Sequence, residues 1–284
     1  MKTTVSSATC QVVIGGDRPT VLIGERINPT GKKRLAEALL AGDLALVRDE
    51  AVAQVRAGAD ILDVNVGTTG LDEVALLPRV VEAVTEVVDV PLCLDSHSPR
   101  ALEAALSVYR GKALINSVNC QESALEEVLP LVKQFGAAVI ALTMDDQGIP
   151  AEADRRVAIA YKIVERAEAL GIPREDVVVD CLALTVGAAS KAALVTLEAV
   201  ERVKAELGVN QTLGASNVSY GLPDRELLNG AFITLAIAAG VTCPTVDAGK
   251  VRSIVLATDL LLGRDNYAQR YIKAYRQTKA AAAG

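Results

Sequence analysis

Aromatic residues are scarce in this sequence: it has no tryptophan, two phenylalanines and six tyrosines, and aromatics make up 3% of its 284 residues. Apolar residues nevertheless reach 51%, and most of them are Ala, Val, Leu and Ile. A core of small aliphatic side chains is typical of helices packed on a buried parallel sheet, and it suits an antiparallel sandwich poorly. We therefore expect an α/β protein.

Histidine is nearly absent, because His97 is the only one in the chain. A zinc site built from several histidines is thereby excluded, and the five cysteines contain no CxxC pair that could replace it. A Ser-His-Asp triad would have to use His97, but no GxSxG motif accompanies it. We expect no metal bound by this chain, and we interpret His97 as a loop residue without a chemical role.

The chain also lacks a basic excess and a long apolar segment. Its formal net charge is -6 and its pI is about 5.1, which argues against nucleic-acid binding. No run of about 18 apolar residues is present, so no membrane span is expected. The start of the chain has no apolar core of a signal peptide. Together with unpaired cysteines, these features predict a cytoplasmic protein with reduced thiols.

A nucleotide P-loop is missing as well. The segment GERINPTGKK at residues 24–33 is superficially similar to one, but it lacks the GxxxxGK[ST] spacing. The basic residues Lys32, Lys33 and Arg34, at and just after its end, are most simply explained as a solvated face. The alternative is that they attract an anionic tail of a ligand.

Eight short apolar segments alternate with helical patterns along the chain. The predicted strands cover residues 21–23, 60–65, 91–95, 113–116, 137–142, 177–180, 213–215 and 245–247. A barrel of eight strand–helix units takes about 250 residues, so we predict a (β/α)8 TIM barrel, with a doubly wound open sheet as the alternative. No linker divides the chain. We expect one domain over residues 1–284, with the barrel at about 20–265 and a C-terminal helix after it.

Each predicted strand ends in, or is followed by, a polar side chain. In chain order these are Glu25, Asp63, Asn65, Asp95, Asn116, Thr143, Asp145, Asp180, Asn217 and Asp247. The carboxyl ends of barrel strands face one mouth, so these groups are expected to line a pocket there. For any single residue, simple capping of a strand is the alternative explanation.

The ligand of such a pocket can be inferred from its chemistry. Cationic residues at the level of the strand ends are few, which predicts a neutral ligand rich in N–H donors. A pterin or purine ring has edges that pair with carboxylates and amides. Asn217 follows the predicted strand 213–215 and lies among small residues, at the end of the fold where α/β proteins place their chemistry.

Five segments resemble those of the pterin-binding methyltransferases. They are GERIN at 24–28, DVNVG at 63–67, LDS at 94–96, INS at 115–117 and SNVS at 216–219. The chain is similar to methyltetrahydrofolate:corrinoid/iron-sulfur protein methyltransferases and to the folate module of cobalamin-dependent methionine synthase. The resemblance runs in order from about Val21 to the last helix.

The resemblance implies a barrel that binds methyltetrahydrofolate in its mouth and exchanges a methyl group with the Co(I) of a corrinoid (cobalamin) on a separate protein, in either direction. It also implies a homodimer. The pterin ligands that it implies are Asp95, Asn116 and Asp180. Arg225 matches a position near the folate site, and Asp63, Asn65 and Glu25 complete the predicted pterin-binding set.

Asn217 is the predicted catalytic residue, because the resemblance puts it near the methyl-bearing pterin nitrogen. A methyl group on a tertiary amine leaves only when the nitrogen gains positive character. An amide that binds this nitrogen more strongly in the transition state lowers the barrier selectively. The proton itself comes through water or from a nearby carboxyl, and the sequence does not identify the donor.

Two alternatives stay open at this point. Dihydropteroate synthases share the fold and the Asp and Asn pattern, but they carry a basic Ser-Arg-Lys-type segment where this chain has Ser-Asn-Val-Ser at 216–219. A non-catalytic pterin-binding subunit is the other alternative. The sequence contains no homocysteine-binding zinc domain and no corrinoid domain, so we expect the corrinoid partner to be another polypeptide.

Overall fold

The computed structural model describes residues 1–283, and its centre is a ring of eight parallel strands. Their order is β10-β3-β4-β5-β6-β7-β8-β9, and a parallel bridge between Gly214 and Thr245 joins the two end strands. The strands are β3 (Ile23–Ile27), β4 (Ile61–Asn65), β5 (Leu92–Asp95), β6 (Leu114–Val118), β7 (Ala138–Leu142), β8 (Val177–Asp180), β9 (Gln211–Thr212) and β10 (Thr245–Val246). The predicted (β/α)8 barrel is confirmed.

Helices surround the barrel. They are α1 (Lys33–Leu40), α2 (Ala45–Arg56), α3 (Glu73–Thr85), α4 (Pro99–Val108), α5 (Glu122–Phe135), α6 (Ala153–Ala169), α7 (Ala192–Glu206), α8 (Arg225–Ala239), α9 (Ala248–Leu261) and α10 (Gln269–Ala283). Local sequence signals fix several ends. The Ser98 hydroxyl caps α4 by accepting from the Ala101 N–H, with Pro99 in the first turn, and Gly136 ends α5 in the left-handed conformation. Within residues 1–283, every helix is too short or too polar to cross a bilayer.

An N-terminal hairpin covers the lower, amino-terminal end of the barrel. Its antiparallel strands are β1 (Lys2–Ser6) and β2 (Gln11–Gly15). Val5 and Ile14 are fully buried and join the apolar cluster inside the barrel. The Asn210 amide beneath β9 donates to Thr3 Oγ1 at 2.9 Å and to the Ile14 carbonyl at 3.2 Å. This hairpin was not predicted from the sequence, because a two-stranded ribbon depends on the barrel for its partners.

Two layers fill the barrel, and the strand period of two produces them. The lower layer is apolar and consists of Ile23, Ile61, Cys93, Leu114, Ala138, Ile140, Val178 and Cys243. Asp63 and Asp95 come two residues after Ile61 and Cys93 on β4 and β5, so their side chains point inward as well. Strand register then sets Asn65 opposite Asp95, and Asp95 opposite Asn116. The polar groups are therefore gathered at the carboxyl end of the strands.

The seventh strand of the barrel is not where the sequence predicted it. We expected residues 213–215, but β9 is Gln211–Thr212 and a 3-10 helix, Ala215–Ser219, begins directly afterwards. The polar strand residues are buried because they find partners. Gln211 Nε2 donates to the Val200 carbonyl at 2.9 Å, and the hydroxyls of Thr212 and Thr245 lie 3.0 Å apart. A search for apolar runs therefore does not find this strand, because its residues are polar.

Candidate active site

A carboxyl pair and an amide occupy one side of the barrel mouth, on β4, β5 and β6. Asn116 Nδ2 donates to Asp63 Oδ1 at 3.1 Å. Burial raises the pKa of Asp63 well above its usual value, and the neighbouring Asp95 raises it further. Burial also raises the pKa of Asp95, whereas hydrogen bonds from Asn65 and Asp63 lower it. Asp63 therefore holds a proton more tightly than an ordinary carboxyl does, because it is buried beside a second acid.

Asn65 is oriented by the turn that follows β4. Its Oδ1 accepts from the Gly67 N–H at 2.8 Å, which leaves the amide NH₂ for Asp95. Ser96, after β5, donates to Glu73 Oε2 at 2.6 Å and is itself buried. The side of the mouth formed by β4 and β5 is thus held in one hydrogen-bond arrangement.

Asp180 ends β8 and is 8% exposed. Its Oδ1 accepts from the Leu182 N–H at 2.7 Å, and the Gly214 N–H also donates to the carboxyl. Burial raises the pKa of Asp180 to about 6, against the lowering effect of these two backbone donors. The contact to Gly214 couples Asp180 to the turn that carries Asn217.

That turn is the 3-10 helix Ala215–Ser219, and Arg225 holds it. Arg225 Nη2 donates to the Ser216 carbonyl at 2.9 Å, and Nε donates to Ser219 Oγ at 3.0 Å. The Ser219 hydroxyl in turn donates to Asn229 Oδ1 at 2.7 Å. Arg225 is the first residue of α8, so the helix and the turn are fixed to each other. The Asn217 side chain is exposed at the mouth.

A cavity of about 480 Å³ opens beside Asn217. Its polar lining includes Glu25, Arg26, Asn28, Lys32, Ser216, Asn217, Arg225, Asn229, Asp247 and Lys250. The expectation of few cationic groups at this level is wrong, because four of these residues are basic. The sequence did not reveal this group, because Arg26 on β3 and Lys32 just before α1 are far in sequence from the basic residues on α8 and α9.

The basic groups of the cavity are only partly neutralised. Arg26 lies 3.3 Å from Glu50 and 3.5 Å from Asp247. Lys32 Nζ donates to the Arg26 carbonyl at 2.7 Å and forms no ion pair within residues 1–283. The expectation that Lys32 belongs to a solvated face is therefore wrong, because the side chain turns back over β3 and lines the cavity.

Glu25 points into the same cavity from β3. Burial raises the pKa of Glu25 to about 7, although the nearby Lys32 lowers it. The Ser216 hydroxyl donates to Glu25 Oε1 at 3.4 Å. Glu25 therefore faces the cavity beside the turn that carries Asn217.

Not every predicted strand-end residue joins the site. Asp145 lies in the loop after β7, bonded to Arg155 at 2.9 Å, and it lines a separate depression with Cys120 and Lys162. Thr143 is fully buried, and within residues 1–283 its hydroxyl has no hydrogen-bond partner. For Asp145, polarity at a strand end therefore did not indicate a place in the mouth.

The fold and its site define a class of ligand-binding barrel, with a ring of inward acids and amides and an adjoining cavity. Comparison with known proteins identifies the family. The family described as "Pterin binding enzyme" matches residues 24–247, which include every residue from Glu25 to Asp247 discussed above. The chain belongs to the pterin-binding enzyme family.

Two curated proteins are similar to this chain in sequence. A methylcorrinoid:tetrahydrofolate methyltransferase of Eubacterium limosum is 31% identical over 269 residues, which are 91% of this chain and 97% of that protein. A methionine synthase of Mycobacterium leprae (strain TN) is 34% identical over 251 residues, covering 84% of this chain. The chain spans only 21% of the length of that methionine synthase.

Solved structures with the same fold include dihydropteroate synthases. The enzyme from Thermus thermophilus, in complex with 6HMPPP, aligns with a TM-score of 0.68 at 23% identity, over 91% of this chain and 99% of that one. The enzyme from Xanthomonas albilineans with 4-aminobenzoic acid aligns with a TM-score of 0.69 at 18% identity, over 92% and 99%. At this level of identity the similarity concerns the fold.

Proposed function

We propose that this protein is a methyltransferase that moves a methyl group between 5-methyltetrahydrofolate and the cobalt of a corrinoid carried by a partner protein. The observation that carries the proposal is the end-to-end match to a methylcorrinoid:tetrahydrofolate methyltransferase, at 31% identity over 97% of that protein. The two methyl carriers in the name of that relative define the reaction.

The pterin is bound by the polar layer of the barrel. Asp95 and Asp180 accept hydrogen bonds from the N–H and NH₂ groups of the ring, and Asn116 matches a mixed donor and acceptor edge. Asp63 and Asn65 hold Asn116 and Asp95 in position through the contacts described above. The apolar layer below supplies a floor for the flat ring.

The folate tail occupies the adjoining cavity. Its carboxylates are attracted by Lys32, Arg225 and Lys250, which line that space. Asn217 lies between the pterin and the tail, and its amide hydrogen-bonds the methyl-bearing nitrogen more strongly as the carbon–nitrogen bond weakens. This amide carries no charge, so it binds the neutral amine without distorting the charge balance of the site.

The corrinoid partner approaches the open mouth of the barrel. When it is bound, its reduced cobalt supplies the electron pair for the new bond to the methyl carbon. Asn217 is exposed at that mouth, and the 3-10 helix that carries it is held from behind by Arg225. A large flat cofactor can therefore reach the methyl group without displacing the pterin.

The protein acts as a homodimer through one face of α8. From Leu227 onward, the exposed positions of this helix are all apolar: Leu227 is 68% exposed and Leu235 is 54% exposed, with Leu228, Ala231 and Ala238 beside them. A helix that is apolar on its outer face as well as its inner face normally has a partner. The resemblance to dimeric enzymes favours a second copy of this chain.

We place the protein in the cytoplasm. All five cysteines are free thiols, and four of them are buried. Unpaired thiols are typical of a reducing compartment. A reduced cobalt centre also requires a reducing environment.

The test is spectroscopic. The protein is mixed with 5-methyltetrahydrofolate and Co(I) cobalamin, and methylcobalamin is followed by its absorbance. We expect formation that depends on both the protein and the folate. Folate binding without transfer would instead favour a non-catalytic pterin-binding subunit. Condensation of a pterin pyrophosphate with p-aminobenzoate would favour a synthase, and either result would overturn the proposal.

A further inference from the structure

Glu25 and Asn217 face the same space from different elements. Glu25 points inward from β3, and Asn217 lies on the 3-10 helix after β9; both line the cavity at the mouth. Ser216, the residue before Asn217, donates its hydroxyl to Glu25 Oε1 at 3.4 Å. A carboxyl group is thus tied to the turn that presents the amide.

The other carboxyls of the mouth are already committed as hydrogen-bond acceptors. Asp180 accepts from two backbone N–H groups, which stabilise its anion. Asp63 accepts from Asn116 and is hydrogen-bonded to Asp95. Within residues 1–283, the only hydrogen bond to the Glu25 side chain comes from Ser216. Glu25 is therefore the carboxyl of the mouth that is freest to exchange a proton with a ligand.

Charged groups of both signs surround Glu25. The cations that face it are Lys32, Arg26 and Arg225, and the anions are Asp247 and Asp63. Burial outweighs the cations and raises the pKa of Glu25 to about 7. An acid whose pKa lies near the working pH can both give and take a proton efficiently.

We propose that Glu25 is the acid–base residue of the methyl transfer. This inference rests on the proposed function. In transfer from folate, the Glu25 carboxyl gives its proton to the methyl-bearing nitrogen. The carbon–nitrogen bond then breaks with its electron pair left on nitrogen, while the methyl carbon bonds to the reduced cobalt of the partner. Glu25 is left as a carboxylate and regains a proton from water. In the reverse direction it removes the proton from tetrahydrofolate.

The experiment compares Glu25→Gln and Glu25→Asp with the wild-type protein in single-turnover methyl transfer from folate, between about pH 6 and 8.5. The wild-type rate should fall as the pH rises, because the protonated acid is required. Glu25→Gln should lose about 10²–10⁴-fold in rate and show a flat pH profile, with folate affinity nearly unchanged. Glu25→Asp keeps the carboxyl and should keep the pH dependence at a lower rate.

Asp176→Asn is the matched control, since burial also raises the pKa of Asp176 but this residue lies at the opposite end of the barrel beside Lys112. Its pH profile should match that of the wild type. A Glu25→Gln protein that keeps the wild-type pH profile would overturn the assignment of Glu25 and leave the methyl transfer itself intact. A wild-type protein that forms no methylcobalamin would overturn the proposed function instead. If Glu25→Gln does not fold, a pH-independent rate in Glu25→Asp would contradict the proposal.

Discussion

Asn217 and Asp180 are joined through the backbone of one turn, yet their chemistry differs. The carboxyl of Asp180 accepts a hydrogen bond from the Gly214 N–H. Asn217 comes three residues after Gly214 and is exposed at the mouth. The proposed roles follow this difference in exposure, with Asp180 as a buried binding group and Asn217 as the group that a reacting atom approaches. Substitutions at the two positions should therefore have different effects.

Replacing Asn217 by alanine should lower the rate of methyl transfer by about 10²–10³, the usual effect of losing one well-placed transition-state donor. Folate affinity should change much less, because the contact strengthens only as the bond breaks. Single-turnover rates and folate titrations measure the two effects. Asn119→Ala is the control, because Asn119 lies in the loop after β6 and bonds to Gln121. An unchanged rate in Asn217→Ala would remove this residue from catalysis.

Asp180 should make the stability of the free protein depend on pH. Its pKa is raised by burial from 3.8 to about 6, so the native state holds the proton more tightly than the unfolded state. Stability is therefore lost as the pH rises from about 4 to about 6, by about 3 kcal/mol for two pKa units. Asp180→Asn should lack this loss and should also weaken folate binding.

Urea denaturation at the two ends of this pH window measures the change in the free energy of unfolding. Asp89→Asn, at an exposed position, provides the comparison and should follow the wild type. If Asp180→Asn and the wild type change in parallel between the two pH values, the carboxyl of Asp180 is not the source of the dependence.

At the scale of elements, α6 supports the segment that follows β8. Arg156 on α6 is 1% exposed and has no carboxylate partner within residues 1–283. Its guanidinium donates to the carbonyls of Cys181 and Leu182, at 2.8 Å and 2.7 Å, and to that of Pro150 at 2.9 Å. The backbone just after Asp180 is therefore fixed by a helix side chain.

Arg156→Met should leave these carbonyls buried without donors. Each such group costs about 1–3 kcal/mol, so we expect a loss of several kcal/mol in the free energy of unfolding. Folate binding should weaken as well, since Asp180 lies next to the released backbone. Arg166→Met on the same helix is the control, because Arg166 forms an exposed ion pair with Glu122 and should cost less than about 1 kcal/mol. Equal losses in the two variants would contradict this role of Arg156.

At the scale of the whole molecule, the outer surface is uneven. The exposed apolar positions of α8 form a stripe, whereas the outer faces of α2 and α6 are mixed with charged residues. A stripe of this kind is expected at an interface between copies of the chain.

Leu235→Asp should convert the proposed dimer to a monomer, because an interface then has to bury a carboxylate opposite apolar side chains. Size-exclusion chromatography with light scattering gives the mass of each variant. Leu170→Asp, at an exposed leucine that ends α6, should stay dimeric. A wild-type protein that is monomeric at all tested concentrations would rule out the interface on α8.

Much of the architecture follows from periodicity alone. Seven of the eight barrel strands overlap the predicted segments, because an apolar run followed by a polar residue and a glycine or proline has few other solutions in an α/β protein. β9 was not predicted, because Gln211 and Thr212 are buried through hydrogen bonds rather than through apolar contacts. The N-terminal hairpin was not predicted either, because its stability comes from the barrel it covers.

Strand alternation is enough to predict which residues can meet at the mouth, because a period of two sends Asp63, Asp95 and Asn116 to the same side of their strands as the apolar residues that fill the barrel. The charges of these groups and the surfaces next to them depend on how the strands and helices pack in space. The pKa of Glu25 depends on burial by segments distant in sequence, and basic residues such as Lys32 and Lys250 meet only at the cavity. Burial and electrostatic potential are sums over neighbours in space, and a linear pattern does not contain those distances.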